Sequence, residues 1–137
     1  MQWHNWNSIG ALVGFLLVMP TASNAQTIGN VTSVKPQAEG IHGSNRRTLA
    51  TGHDVHASET IQTGDAGVAG LRFRDNTNLS VGPKSVVRLD KFVYDPNKST
   101  GSVVIDATRG SFRFVTGSQN KGDFKIKTPY GNLGVRG

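Results

Sequence analysis

The sequence contains no cysteine. Disulfides, thiolate metal sites and a cysteine nucleophile are excluded with it. Tryptophan and methionine occur only as Trp3, Trp6, Met1 and Met19, so everything after Met19 builds its core without either. Lysine, arginine, aspartate and glutamate are missing from residues 1–25. Apolar residues at helical spacing are missing throughout, and no long stretch repeats them every three to four positions. No Gly-x-Ser-x-Gly elbow is present, so the many serines lack the strand–turn–helix setting of a hydrolase nucleophile.

These absences divide the chain in two. Ile9 to Met19 is an apolar run, too short to cross a bilayer core of about 30 Å. Pro20 follows, then Ser23-Asn24-Ala25, small residues of the kind that precede signal-peptidase cleavage. Residues 1–25 are therefore expected to be a signal peptide cleaved after Ala25, although the segment before Ile9 offers His4 in place of Lys or Arg. Residues 26–137 are expected to form one exported domain, long enough to bury roughly two-thirds of its unfolded-chain surface. A stable membrane span is not expected.

What is present is positive charge and strand-forming residues. All 15 Lys and Arg and all 9 Asp and Glu lie after residue 25, for a net charge of +6. In the cytosol, nucleic acid would be the leading partner of so basic a domain. Export removes nucleic acid and leaves anionic lipid headgroups, polysaccharides or acidic protein surfaces. The apolar residues are mostly Val, Ile, Leu and Phe among many Thr and Gly, a composition of strands and turns.

The clearest periodicity lies in Thr63 to Asp90. Ala69, Leu71 and Phe73 alternate with Gly70, Arg72 and Arg74, as in a half-buried strand. Leu79 and Val81 resume the alternation after Asp75-Asn76. This predicts a hairpin with a two-residue type I′ turn, both of whose residues need φ > 0. Val87 and Leu89 predict a third strand of the same antiparallel unit, extended by Lys91 to Tyr94 and closed by a turn at Asp95-Pro96-Asn97. Further strands are predicted over Gly29–Lys35, Arg47–Ala50, Glu59–Gln62, Ser102–Thr108, Ser111–Val115, Phe124–Thr128 and from Tyr130 to Gly137, where the natural chain is expected to continue. The fold class is all-β: a single domain of eight to ten short, mainly antiparallel strands, either solenoid-like or a two-sheet sandwich or roll.

Three segments resemble the FecR domain, named after the ferric-citrate regulator. They are T-G-D-A-G-V-A-G-L-R-F-R-D-N-T-N-L-S-V-G-P-K-S from Thr63, R-G-S-F-R-F-V-T-G from Arg109 and K-T-P-Y-G-N-L-G-V-R-G from Lys127. Asn76 stands where the family favours Gly. The resemblance implies a non-enzymatic, protein-binding or signal-relay β module of a Gram-negative-type envelope, periplasmic or secreted. The family's transmembrane regulators also carry a cytoplasmic segment that controls a sigma factor. Residues 1–25 look like a signal peptide instead, so that activity is not carried over.

Arg72, Arg74, Arg88, Arg113, Lys125 and Lys127 alternate with apolar residues and are expected on outer strand faces. There they offer a docking surface for an envelope protein or, as the alternative, an anionic cell-surface glycan bound by a structural or adhesive protein. The same side chains would also keep the sheets soluble. His42, His53 and His56 sit in Gly-rich loop or strand, where residues three apart face opposite sides, so no metal is expected. Asp65, Asp75, Asp90 and Asp95 fall where aspartate caps turns. Residues 131–137 lack the Gly-Lys-Ser/Thr ending and following helix of a phosphate loop, and no cofactor is expected. Arg136 is expected to be partly buried against carbonyls or a carboxylate such as Asp90 or Asp106.

Overall fold

A computed structural model describes residues 14, 17, 26–97 and 100–134. The expected signal peptide, save those two positions, and Arg136 lie outside the described residues. Among the described residues, no helix is long and apolar enough to cross a membrane.

The described residues form twelve strands: β1 (Thr27–Lys35), β2 (Ala38–His42), β3 (Asn45–Thr48), β4 (Asp54–His56), β5 (Thr60–Thr63), β6 (Val68–Phe73), β7 (Asn78–Val81), β8 (Val86–Asp95), β9 (Thr100–Arg109), β10 (Phe112–Val115), β11 (Phe124–Thr128) and β12 (Gly131–Gly134). A 3-10 turn at Lys121–Asp123 precedes β11. One sheet has five strands in the order β10-β7-β6-β1-β4, the other seven in the order β12-β11-β9-β8-β5-β2-β3. Every pairing is antiparallel except β9 with β11. The chain passes repeatedly from one sheet to the other, and the result is a two-sheet sandwich.

Alternation explains which side chains meet between the sheets. Leu71 and Phe73 of β6, Leu79 and Val81 of β7, Val87 and Leu89 of β8, Val103 and Ile105 of β9, and Phe124 and Ile126 of β11 are all buried. With Ile28, Val31, Leu49, Val55 and Ile61 they make one apolar cluster. In β8, strict alternation after Leu89 would turn Lys91 inward. A bulge between Leu89 and Lys91 resets the register, so Phe92 points in and Lys91 out. Phe92 then packs on Phe73, with ring centroids 5.6 Å apart.

Three expectations need correction. The turn between β6 and β7 is not a two-residue type I′ turn. Phe73 N–H bonds the Thr77 carbonyl at 2.9 Å and Asn76 N–H bonds the Phe73 carbonyl at 2.9 Å. Of Asp75 and Asn76, only Asn76 is left-handed, with φ of 67°. This is the three-residue hairpin loop, a turn followed by one left-handed residue. It arises because Asp75 turns its carboxylate inward to bond Thr77 rather than taking a left-handed conformation.

Second, Val87 and Leu89 do not continue the β6–β7 unit. Gly82-Pro83-Lys84 carries the chain across, and β8 pairs β5 and β9 in the other sheet. Third, the strand predicted over Arg47–Ala50 is β3, Asn45–Thr48, while Leu49 leaves the strand and enters the core. The short strands β2 and β4 were not apparent, since Gly40 interrupts one and the other has 3 residues.

Asn76 gives a test of the turn. Asn76→Gly removes a left-handed strain that Asn tolerates and loses an exposed bond to Arg72, so stability by urea titration should stay within about 0.5 kcal/mol. Asn76→Val should cost about 1–2 kcal/mol. Equal losses from both would overturn the loop assignment.

Candidate functional site

The turn residues of the sequence gather into polar knots at the ends of the sandwich. At one end, Thr63 hydroxyl donates to the Gly82 carbonyl at 2.6 Å and accepts Ser85 N–H at 3.0 Å. Ser85 hydroxyl accepts Ser111 N–H at 3.0 Å, and Gly82 N–H reaches the Ser111 carbonyl at 2.8 Å. Ser85 is fully buried. Gly110 has φ of 94°, and a Cβ there would collide with Ser85, so glycine is required on both counts. Three crossings between the sheets, after β5, β7 and β9, are thereby tied together.

At the other end of β6 and β7, the buried Asp75 carboxylate accepts Thr77 N–H at 2.9 Å, Thr77 hydroxyl at 2.8 Å and Gln119 Nε2–H at 3.0 Å. Ser118 N–H bonds the Asp75 carbonyl at 2.8 Å. A Cβ on Gly117 would strike that same carbonyl oxygen. The predicted turn cap at Asp75 is thus also a clamp on the loop after β10. A second buried carboxylate, Glu59, accepts Arg47 Nε–H at 3.0 Å, Arg47 Nη2–H at 2.8 Å and His56 N–H at 2.9 Å. Neither carboxylate reaches solvent, so neither is placed to move a substrate's proton. The nearby chain had signalled only turns and loop, and the partners of Asp75 and Glu59 were not legible.

Asp95, His53 and His56 make local contacts. Asp95 accepts Asn97 N–H at 2.9 Å, as its turn requires. His53 Nδ1 accepts Ala50 N–H at 3.2 Å, and His56 Nδ1 lies 3.4 Å from Glu59. No group of three metal-ligating side chains occurs among the described residues.

The six cations fall on two sheets. Arg88, Lys125 and Lys127 belong to the seven-stranded sheet. There Lys127 of β11 stands beside Asp106 of β9, which stands beside Arg88 of β8. Asp90 adds contacts of 3.7 Å to Arg88 and 3.5 Å to Lys127. This alternation of sign across neighbouring strands is the pairing that stabilises a sheet face, and it offsets Arg88 and Lys127, whereas Lys125 is exposed and makes no ion pair among the described residues. Asp90 therefore meets Arg88 and Lys127, and Asp106 stands between them in register.

Arg72, Arg74 and Arg113 belong to the five-stranded sheet and its turn, and all three are exposed. Among the described residues none of them makes an ion pair. Arg72 donates to Asn76 Oδ1 at 3.1 Å, and Asp54 on the same sheet is separated from it by β1. Asn30, Asn78 and Ser80 share the exposed side with these arginines. The result is a polar face with uncompensated positive charge.

Beside it lies a cleft of about 610 Å³ lined by Ala107, Thr108, Arg109, Gly110, Phe112, Thr128, Pro129 and Tyr130. Tyr130 is fully exposed. Sequence reasoning placed Arg109, Phe112 and Tyr130 in turns and strand starts without joining them. The signal was available in the phrases around Arg109 and Thr128, whose turns meet here.

A family model described as FecR protein matches residues 59–137. The chain belongs to the FecR family. No curated protein and no solved structure matches it. FecR proteins are signal-transduction regulators of the bacterial envelope and are not enzymes. Thr63, Gly82, Ser85 and Gly110, which belong to the phrases this FecR domain shares with its family, form the knot between crossings. Asp75, Thr77 and Gly117 form the other. The family's phrases are thus mostly scaffold, and the exposed arginines and the cleft are what that scaffold presents.

Proposed function

We propose that this FecR domain is an exported, non-enzymatic docking module, periplasmic or secreted, that relays a signal by binding an acidic envelope protein through its five-stranded sheet. The observation that carries the reading is the contrast between the two outer faces. Arg88 and Lys127 are neutralised within their sheet, whereas Arg72, Arg74 and Arg113 face solvent with no ion-pair partner among the described residues. Exposed positive charge of this kind speeds encounter with an acidic partner, and the partner's carboxylates then hold it in register. The buried carboxylates and knotted turns give the rigid support that such a surface needs.

The test is photocrosslinking in the producing bacterium, with a crosslinking residue at position 72 or at Lys91 on the opposite sheet. The mature protein should leave the cytoplasm with Gln26 at its N-terminus. Position 72 should give a discrete protein adduct, and position 91 should not. Reversing Arg74 and Arg113 to Glu in the protein that carries the crosslinker at position 72 should reduce that adduct about tenfold, equivalent to roughly 1.4 kcal/mol. Reversing Arg88 and Lys127 should leave it intact. A glycan smear in place of the protein band would overturn the reading in favour of an anionic polymer, and equal adducts from both sheets would overturn it outright.

A further inference from the structure

We infer that the free edge of β10 accepts an extended segment of the partner protein as an added strand, and that this segment alternates acidic and apolar residues. The inference rests on the docking reading above and names the partner's chemistry and mode of attachment.

Strand β10 ends the five-stranded sheet and pairs only with β7. The sheet opposite is two strands wider, and Phe114 of β10 packs on Phe124 of β11 with ring centroids 5.2 Å apart. Phe112 and Phe114 are only half-buried, and Val115 is exposed.

The backbone of β10 is oriented to accept a neighbour. Gly82 N–H bonds the Ser111 carbonyl, which fixes the alternation of the antiparallel ladder. Arg113 and Val115 then exchange bonds with β7, and the N–H and C=O groups of Phe112 and Phe114 point away from it. Among the described residues, none of these four groups has another partner. The sheet's opposite edge, β4, has 3 residues, and the β3 edge carries Arg46 and Arg47, both devices that discourage pairing. The β10 edge, 4 residues long, has no bulge, and its one charge, Arg113, lies on the outer face between the aromatic Phe112 and Phe114.

Side-chain chemistry then selects the occupant. In an added strand, successive side chains face opposite sides. Those on the outer side lie beside Arg113, where a carboxylate is the complement. Those on the inner side lie over Phe112 and Phe114, and one at the strand's end can enter the cleft, whose Arg109 and Tyr130 suit an acidic or aromatic group. A second copy of this chain is a poorer match, because its β10, Phe112-Arg113-Phe114-Val115, brings no acid to Arg113. Strand addition of this type draws affinity from the main chain and specificity from alternate side chains.

The probe is a synthetic ten-residue peptide alternating Glu and Val with one central Phe, added to the ¹⁵N-labelled mature protein. Saturable shifts should centre on residues 112–115, and exchange of the Phe112 and Phe114 amides should slow about tenfold or more, reflecting added hydrogen bonds. Arg113→Glu should weaken binding about tenfold. The same peptide N-methylated at alternate residues should lose binding by at least that factor, since it cannot complete the ladder. Equal binding of the methylated peptide would reduce the effect to charge alone and overturn strand addition. So would an absence of binding, or Phe112 and Phe114 amides already protected before the peptide is added. None of these outcomes touches the adduct expected from position 72, which stands or falls separately.

Discussion

Replacing Phe73 with aspartate is expected to abolish the cooperative melt of the domain. Phe73 is 2% exposed and packs its ring 5.6 Å from Phe92 across the sandwich. Removing a buried Phe side chain costs about 3–5 kcal/mol. Placing an unpaired carboxylate in that space adds several kcal/mol more, because nothing apolar around it can replace water. A domain of this size has roughly 5–15 kcal/mol in all. The two losses together exceed most of that range. Phe73→Leu keeps the site apolar and should cost only about 1 kcal/mol, with a lower melting temperature and an intact transition. Thermal melts followed by circular dichroism separate these outcomes. An aspartate variant that melts like the parent would show that Phe73 is not core.

The fragment 59–137, which is all that the family model covers, should not fold by itself. Strand β1 lies between β6 and β4 in the five-stranded sheet, and β2 borders β5 in the other. Removing residues 26–58 strips Ile28, Val31, Leu49 and Val55 from the core. At about 1.5–3 kcal/mol for each buried aliphatic side chain, this withdraws roughly 6–12 kcal/mol. It also takes away Arg47, leaving the buried Glu59 carboxylate without the guanidinium that compensates it, a further penalty of about 3–5 kcal/mol. The fragment should be expanded by size-exclusion chromatography and show no cooperative unfolding, whereas residues 26–137 should melt in one transition. A compact, cooperatively melting fragment would mean that β1 to β4 are an addition to the domain rather than part of its core.

The two predictions rest on information of different kinds. Phe73 was marked as core by local alternation, because every second residue of a strand faces the same way. The dependence on β1 to β4 was not marked, because it arises from which strands become neighbours. Alternation marks both β6 and the first half of β8, yet one strand joins each sheet. The switch occurs at Gly82-Pro83-Lys84, where the turn residues announce a change of direction without saying into which layer. The same limit applies to the cations. Arg72 and Arg88 look alike in sequence, each flanked by inward-facing apolar residues. Only the register, which sets Arg88 beside Asp106, makes one compensated and leaves the other exposed.

By itself, then, the sequence determined an all-β domain, the inward or outward sense of most strand residues, the turn at Asp95 and membership in the FecR family. Those properties follow from a period of two residues and from short phrases, both readable within a few positions. The tertiary structure alone decided that the fold is a sandwich of five strands over seven, that Asp75 and Glu59 are buried clamps, and that Asp90 meets Arg88 and Lys127 while Arg72, Arg74 and Arg113 face solvent without an ion pair among the described residues. It also decided that β10 has a free edge beside a cleft. Each of these depends on residues far apart in the chain being brought into register, and no local pattern encodes that distance.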